Sequence, residues 1–377
     1  MSEWRETTLG EVCELKRGYD LPASSRKPGN VPIVSSSGIS GHHSVAKVSA
    51  PGVVTGRYGT LGDVYFIDED FWPLNTSLYV RDFKGNEPRF IAALLLSLNL
   101  GRSEAAAAVP GVNRNHLHVL PVRCPDLCTQ RSIGDVFRAI DDLIENNARR
   151  IAILEEMARA IYREWFVEFR YPGHENVPLV ESELGMIPEG WGVGNLGSIT
   201  ENFDRLRRPI SSLKRSEMQG EFPYYGAAKI VDHINDWIFE GEYLLFAEDG
   251  TVITGDGYPV LQLVNERFWV NNHTHILKGS ELPTRFLWLA MAIYPISGHI
   301  TGAAQPKITQ ANLNRVPIVI PAAEVLCEFM AQLDPMIDLL QILVRRNRLL
   351  RTKRDLLLPR LVSGQIDVSH IELPEAV

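Results

Sequence analysis

Two hydrophobic periods alternate along the 377 residues. From residue 133 the apolar positions recur every seven: Ile133, Ile140, Leu154 and Ile161 share one register with Asn147, and Phe137, Ile144, Ile151, Ala158 and Trp165 fall between them. A second series begins at Leu326 and runs through Leu333, Leu340, Asn347 and Leu361, supported by Met330, Ile337, Val344 and Leu358. Heptad spacing keeps such residues on one stripe of a helix, so the pattern predicts two long coiled-coil helices, the second weakening at Arg351 and Arg354. Each series carries one in-register asparagine, Asn147 and Asn347. A buried asparagine there fixes pairing at a cost in stability. The two are expected to face one another if the helices pair antiparallel; a solvated asparagine on each helix surface is the alternative.

Ahead of each helix the pattern is different. Gly52–Gly56, Asp63–Ile67 and Gly241–Ala247 are short β-branched or aromatic runs between turn residues, which predicts strands. Apolar runs from Phe90 and Phe286 predict a helix within each region. These regions repeat one another. Trp4, Leu9 and Gly10 match Trp191, Leu196 and Gly197; Trp72 and Asn75 match Trp269 and Asn272; Pro110, Leu117 and Pro121 match Pro306, Leu313 and Pro317, all in the same order. The expected fold class is α+β: two tandem pseudo-repeated domains, each followed by a long helix, the helices pairing as an antiparallel coiled coil. The expected segments are 1–128 and 191–322 for the domains, 129–170 and 323–364 for the helices, a Pro/Gly-rich linker 171–190 and a tail 365–377.

Composition narrows the function. No apolar run is long enough to span a membrane and the first residues lack a leader-like layout, so a cytoplasmic protein is expected. Four cysteines in so long a chain fit a reducing compartment. The net charge of −8 argues against a protein that simply coats DNA, but the charge is uneven. Residues 1–128 hold 13 basic and 13 acidic side chains, whereas 171–322 hold 11 and 17. The first region is neutral overall and can present a basic face.

Particular stretches resemble the specificity subunits of type I restriction-modification enzymes. They are the opening Trp4 to Gly10, the loop Thr55 to Gly62, the linker Ser182 to Trp191 and the closing helix Leu349 to Gly364, and with the repeat they extend the resemblance over essentially the whole chain. The resemblance implies two target-recognition domains that each read half of a split site on double-stranded DNA, and the divergence of the two copies makes an asymmetric site the expectation. It further implies helices that act as a spacer and dock methyltransferase subunits, which an endonuclease/translocase subunit joins. S-adenosylmethionine, ATP and Mg would belong to those partners, with no cofactor and no catalysis in this chain. A helix of about 35 to 40 residues is roughly 50 to 60 Å long, and successive DNA turns lie about 34 to 36 Å apart, so helix length would set the unread spacer. A coiled-coil scaffold that binds no DNA, and an orphan subunit serving only a methyltransferase, are the alternatives.

Base edges are read by side-chain donors and acceptors on close-approaching loops, while Arg, Lys and amides hold phosphates. Candidate DNA-binding residues in the first domain are Ser35, Ser36, Ser37, Arg57, Tyr58, Gly59, Asn113 and Arg114; in the second they are Tyr225, Asp249, Gly250, Thr251, Gln305 and Lys307. Two sharper signals are set aside. Gly192, Gly194 and Gly197 formally fit a dinucleotide fingerprint but follow a Pro-rich linker instead of a buried strand. His116, His118, Cys124 and Cys128 are zinc-type ligands, yet the repeat has Asn312, Asn314, Ile320 and Glu324 in their places, so no metal is expected.

Overall fold

The computed structural model describes residues 4–59, 61–98, 112–302 and 306–368. It divides into two compact units, one of Met1–Ala148 with Arg345–Val377 and the other of Arg149–Val344. Each long helix, Leu127–Phe166 and Ala323–Val362, is continuous over 40 residues and gives one part of its length to each unit.

In the first unit a four-stranded sheet runs in the order Glu14–Arg17, Ser77–Asp82, Gly52–Gly56, Val64–Ile67, beside a three-stranded sheet of Gly38–His43, Val31–Ser35 and Trp72–Pro73. The helix Pro88–Ser97 starts on a proline, where a missing amide costs nothing, and its first turn is capped by the Glu87 carboxylate accepting from the Phe90 amide at 2.6 Å. It buries Phe90, Ile91 and Leu94 against Leu15, Val53 and Leu78 of the sheet, with Ile133, Phe137, Leu358 and Leu361 of the two long helices.

The second unit follows the same plan with one continuous sheet. Its order is Thr200–Asn202, Thr274–Gly279, Phe239–Ala247, Leu261–Val270, Gln219–Tyr225, Ile230–Ile234. Here the long strand Leu261–Val270 does the work of two strands in the first unit. Its end pairs parallel to Gln219–Tyr225 with Tyr224 opposite Trp269, as Trp72 pairs parallel to Ile33. The opening strands repeat as well: Arg5–Thr8 pairs antiparallel with Pro121–Cys124, and Gly192–Asn195 with Pro317–Ile320. Gly192 and Gly194 thus belong to a strand, and a side chain at Gly197 would collide with Asn314. A side chain at Gly194 would likewise meet Ile320 at 2.8 Å, so close packing accounts for Gly194 and Gly197.

The long helices pack against each other within each unit. In the first, Arg354 donates to Asp141 at 2.9 Å and the Asn147 amide donates to the Asn347 carbonyl oxygen at 2.9 Å. Numbering rises on one helix as it falls on the other, so they run antiparallel there. Asn147 and Asn347 are 4% and 6% exposed, and Asn347 also donates to the Ile144 carbonyl at 3.0 Å. The second unit buries Tyr162, Trp165 and Phe166 of one helix around Phe329 of the other, with Phe166 edge-on to Phe329 at 4.6 Å. Val344, expected in the buried stripe, is exposed. Gln341 and Leu343 are buried close by, which moves the buried stripe off the expected register just before Arg345.

Candidate nucleic-acid interface

Main-chain hydrogen bonds match the candidate loops of the two domains residue by residue. In the first, Thr55 and Gly56 pair with Leu78 and Ser77; in the second, Phe246 and Ala247 pair with His275 and Thr274. The next amides, of Arg57 and Glu248, donate to Thr76 and His273, each at 2.9 Å. The carbonyls of Arg57 and Glu248 then accept from Val112 and Ile308, again at 2.9 Å. Two residues on, Gly59 and Gly250 have φ of +80° and +77°, the left-handed region that glycine enters without strain. Arg57 and Glu248 are therefore the same structural position.

The same holds across the neighbouring strand. In the first domain Leu15 pairs with Val80 and Arg17 with Leu78. In the second Asn202 pairs with Leu277, the Phe203 amide donates to the Ile276 carbonyl at 2.9 Å, and Asp204 comes next, beside His275. Asp204 thus occupies the position of Arg17, and His275 that of Leu78. Three residues further on, each copy closes an ion pair: Arg17 to Asp20 at 3.7 Å in the first, Asp204 to Arg207 at 3.6 Å in the second. Charges at the three shared positions are inverted, Arg17, Asp20 and Arg57 against Asp204, Arg207 and Glu248.

Burial is inverted too. The side chains of Arg17 and Asp20 are 51% and 72% exposed, whereas Asp204, Arg207 and Glu248 are 10%, 17% and 13% exposed. Arg207 donates to Glu248 at 2.6 Å and to the Asn272 and Thr274 carbonyls, and Lys307 reaches the other Glu248 oxygen at 3.0 Å. His275 meets Asp204 through Nδ1 at 2.5 Å and the Ile308 carbonyl through Nε2 at 2.8 Å. A neutral imidazole has one N–H to offer and these are two acceptors, so the geometry favours the protonated ring. Burial pushes the His275 pKa down, but the hydrogen bond and charge of Asp204, the Ile308 carbonyl and Glu248 together carry it above its ordinary value. Burial likewise opposes ionisation of Asp204 and Glu248, yet their hydrogen-bond and cationic partners hold both carboxyls below the usual range. Asp204, Glu248 and His275 are the one grouping of three metal-ligand side chains among the described residues. With Arg207 and Lys307 these three side chains form a connected ion network.

The candidate residues divide accordingly. The Arg57 guanidinium lies 4.5 Å over the exposed Tyr58 ring, and Ser36 sits beside Gly59. Ser37 and Arg114 are exposed. Ser35 is 8% exposed, and its hydroxyl donates to the Gly38 carbonyl to close the turn. Asn113 caps a short helix by accepting from the Asn115 amide at 3.0 Å, so its carbonyl oxygen is engaged. Tyr225 is 6% exposed, with its hydroxyl donated to Glu266 at 2.6 Å. Gly250 and Thr251 are exposed; Asp249 is held by His273 at 2.9 Å. Lys307 keeps a half-exposed side chain, but its ammonium is committed to Glu248. Gln305 lies outside the described residues. Arg17 and Asp20 are missing from the candidates, although the offset that matches Trp4 to Trp191 also matches them to Asp204 and Arg207. Of the zinc-type residues, His118 Nε2 accepts from the Leu15 amide at 2.9 Å, and Cys128 is an exposed free thiol.

A family model described as the type I restriction modification DNA specificity domain matches residues 1–156 and again 188–348. The chain belongs to this family. The two matches fall on the two copies of the repeat, each with part of its long helix. A putative type I restriction enzyme specificity subunit of Haemophilus influenzae is 34% identical over 37% of this chain and 35% of its own length. The type I restriction enzyme MjaIX specificity subunit of Methanocaldococcus jannaschii is 23% identical over 70% of this chain and 64% of its own. The chain thus spans about a third and just under two thirds of these relatives. The crystal structure of a type I restriction-modification S subunit from M. genitalium shares the fold, with a TM-score of 0.57 at 15% identity over 96% of both chains.

Proposed function

We propose that this chain is the DNA sequence-specificity subunit of a type I restriction-modification complex. The observation that carries this is the family match on both copies of the repeat, one reader for each half of a split site. The diverged loops support an asymmetric site, because equivalent positions carry opposite charges and present different donors and acceptors. Arg57, Tyr58, Gly59, Ser36, Ser37 and Arg114 form the proposed contact set of the first domain, and Gly250, Thr251 and Asp249 the core of the second. The long helices serve as a coiled-coil spacer and as the docking surface for methyltransferase subunits, with an endonuclease/translocase subunit joining the complex. S-adenosylmethionine, ATP and Mg act in those partners, and this chain selects the site without catalysing a reaction. No described helix is long and apolar enough to cross a membrane, and a cytoplasmic complex is the setting proposed.

The test is methylation mapping by long-read sequencing in cells that express the chain with its methyltransferase. The expected result is methylation at one bipartite sequence with two different halves. Methylation without any bipartite site, or none that depends on this chain, overturns the proposal.

A further inference from the structure

We infer that the two domains contribute unequally to DNA binding: the first holds backbone phosphate through Arg17 and Arg57, and the second has committed the same positions to an internal ion network. This rests on the function proposed above and assigns a residue, Arg17, that the candidate set lacks. Arg17 and Thr55 both pair with Leu78, from strands on either side of it. Strands lie about 4.8 Å apart, so the two arginine-bearing segments are about 10 Å apart at one end of the sheet. The Gly18 amide donates to the Ser77 carbonyl and the Arg57 amide to Thr76, which hangs both segments on the same short connection.

Arg17 is more than half exposed and its ion-pair partner Asp20 is shared, since Asp20 also accepts from Asn75. Arg57 is partly exposed, has no carboxylate partner among the described residues and stacks on an exposed tyrosine. A guanidinium that reaches solvent without a dedicated carboxylate is a ready donor to phosphate. Leu78 explains the arrangement. It is 1% exposed and apolar, so a carboxylate at position 17 would have no imidazolium to meet, and the side chain there turns to solvent. In the second domain His275 draws Asp204 inward, and Arg207 and Lys307 are taken up by Glu248. The regional charges agree, with 13 basic and 13 acidic residues in 1–128 against 11 and 17 in 171–322.

Phosphate contact is read from salt dependence, because each neutralised phosphate releases counterions and adds roughly 0.9 to the slope of log affinity against log salt. The experiment measures binding of the chain, assembled with its methyltransferase subunits, to a mixed-sequence DNA duplex across a range of salt. R17A and R57A are each expected to lower the slope by about 0.9 and to weaken binding at low salt several-fold, and R17K is expected to keep the slope. Unchanged slopes in R17A and R57A overturn the inference, and so does a loss in K307A as large as theirs, which would put phosphate contacts on both domains. These outcomes are distinct from failure of the proposed function, which would appear as a wild-type complex that binds no duplex.

Discussion

In the first domain Arg17 and Asp20 stand in water and Arg57 partly so; in the second Asp204, Arg207 and Glu248 occupy the same places on the same backbone and are largely buried. The hydrogen bonds that fix the loops run between main-chain atoms, from the amides of Arg57 and Glu248 and to their carbonyls, so they do not constrain side-chain charge. Duplicated copies can therefore reverse every charge at the loop base and keep the loop. The single exchange of Leu78 for His275 is central, because a buried imidazolium supplies the counter-charge that lets a carboxylate turn inward.

The strongest way to break the comparison is to remove its central cation from each copy. R207A leaves Asp204 and Glu248 buried with fewer counter-charges, and loss of one partner from a buried ion pair costs about 3 kcal/mol or more. R17A removes one side of an exposed pair and should change stability by less than about 0.5 kcal/mol. Chemical denaturation followed by hydrogen exchange in each unit separates the two. Equal effects would mean that the inversion of burial has no energetic content.

The helices test what the copies share. Asn147 comes from one copy and Asn347 from the other, and they bond to each other. N147A leaves the Asn347 carbonyl oxygen buried without that donor and is expected to cost about 2 kcal/mol. The double variant N147L/N347L should recover the loss or exceed wild type, while relaxing the pairing register. A double variant less stable than N147A contradicts the pairing.

These two tests differ in how far the sequence alone leads to them. The helices are legible because a heptad stripe sustained over so many turns forms only on a long helix, and the asparagines interrupt it at matching places. A strict period puts Val344 in the stripe, whereas its neighbours displace the buried face locally, which the period does not register. The loops are legible from glycine and the repeat. Burial of Ser35 and Tyr225 is not, since a serine in a turn and a tyrosine in a strand look alike whether exposed or buried. The ion network is invisible in the sequence. Its members are spread from Asp204 to Lys307 and meet only when the sheet is paired.

The glycines sharpen the claim that the backbones match. Gly59 and Gly250 share a left-handed φ, and neither has a neighbour close enough to clash with a methyl group. G59A and G250A should each cost about 1 kcal/mol, from backbone strain alone. Costs that differ by more than the error of a denaturation curve would show that the loops are held differently.

The shallowest effect is the pH dependence of the second unit, and its sign follows from the network. His275 has a raised folded pKa, so its contribution is fully present below about 6.5, the value in the unfolded chain, and is lost as pH rises through the folded value. Asp204 and Glu248 have depressed pKa values, so theirs is present above about 4 and is lost as pH falls through the folded values. Stability of the second unit should accordingly fall off on both sides of a mildly acidic maximum. H275L, which copies Leu78, lowers stability throughout but should abolish the alkaline loss and leave the acid one. An alkaline loss that persists in H275L would assign it to another group and detach the imidazolium from the inversion of charge between the domains.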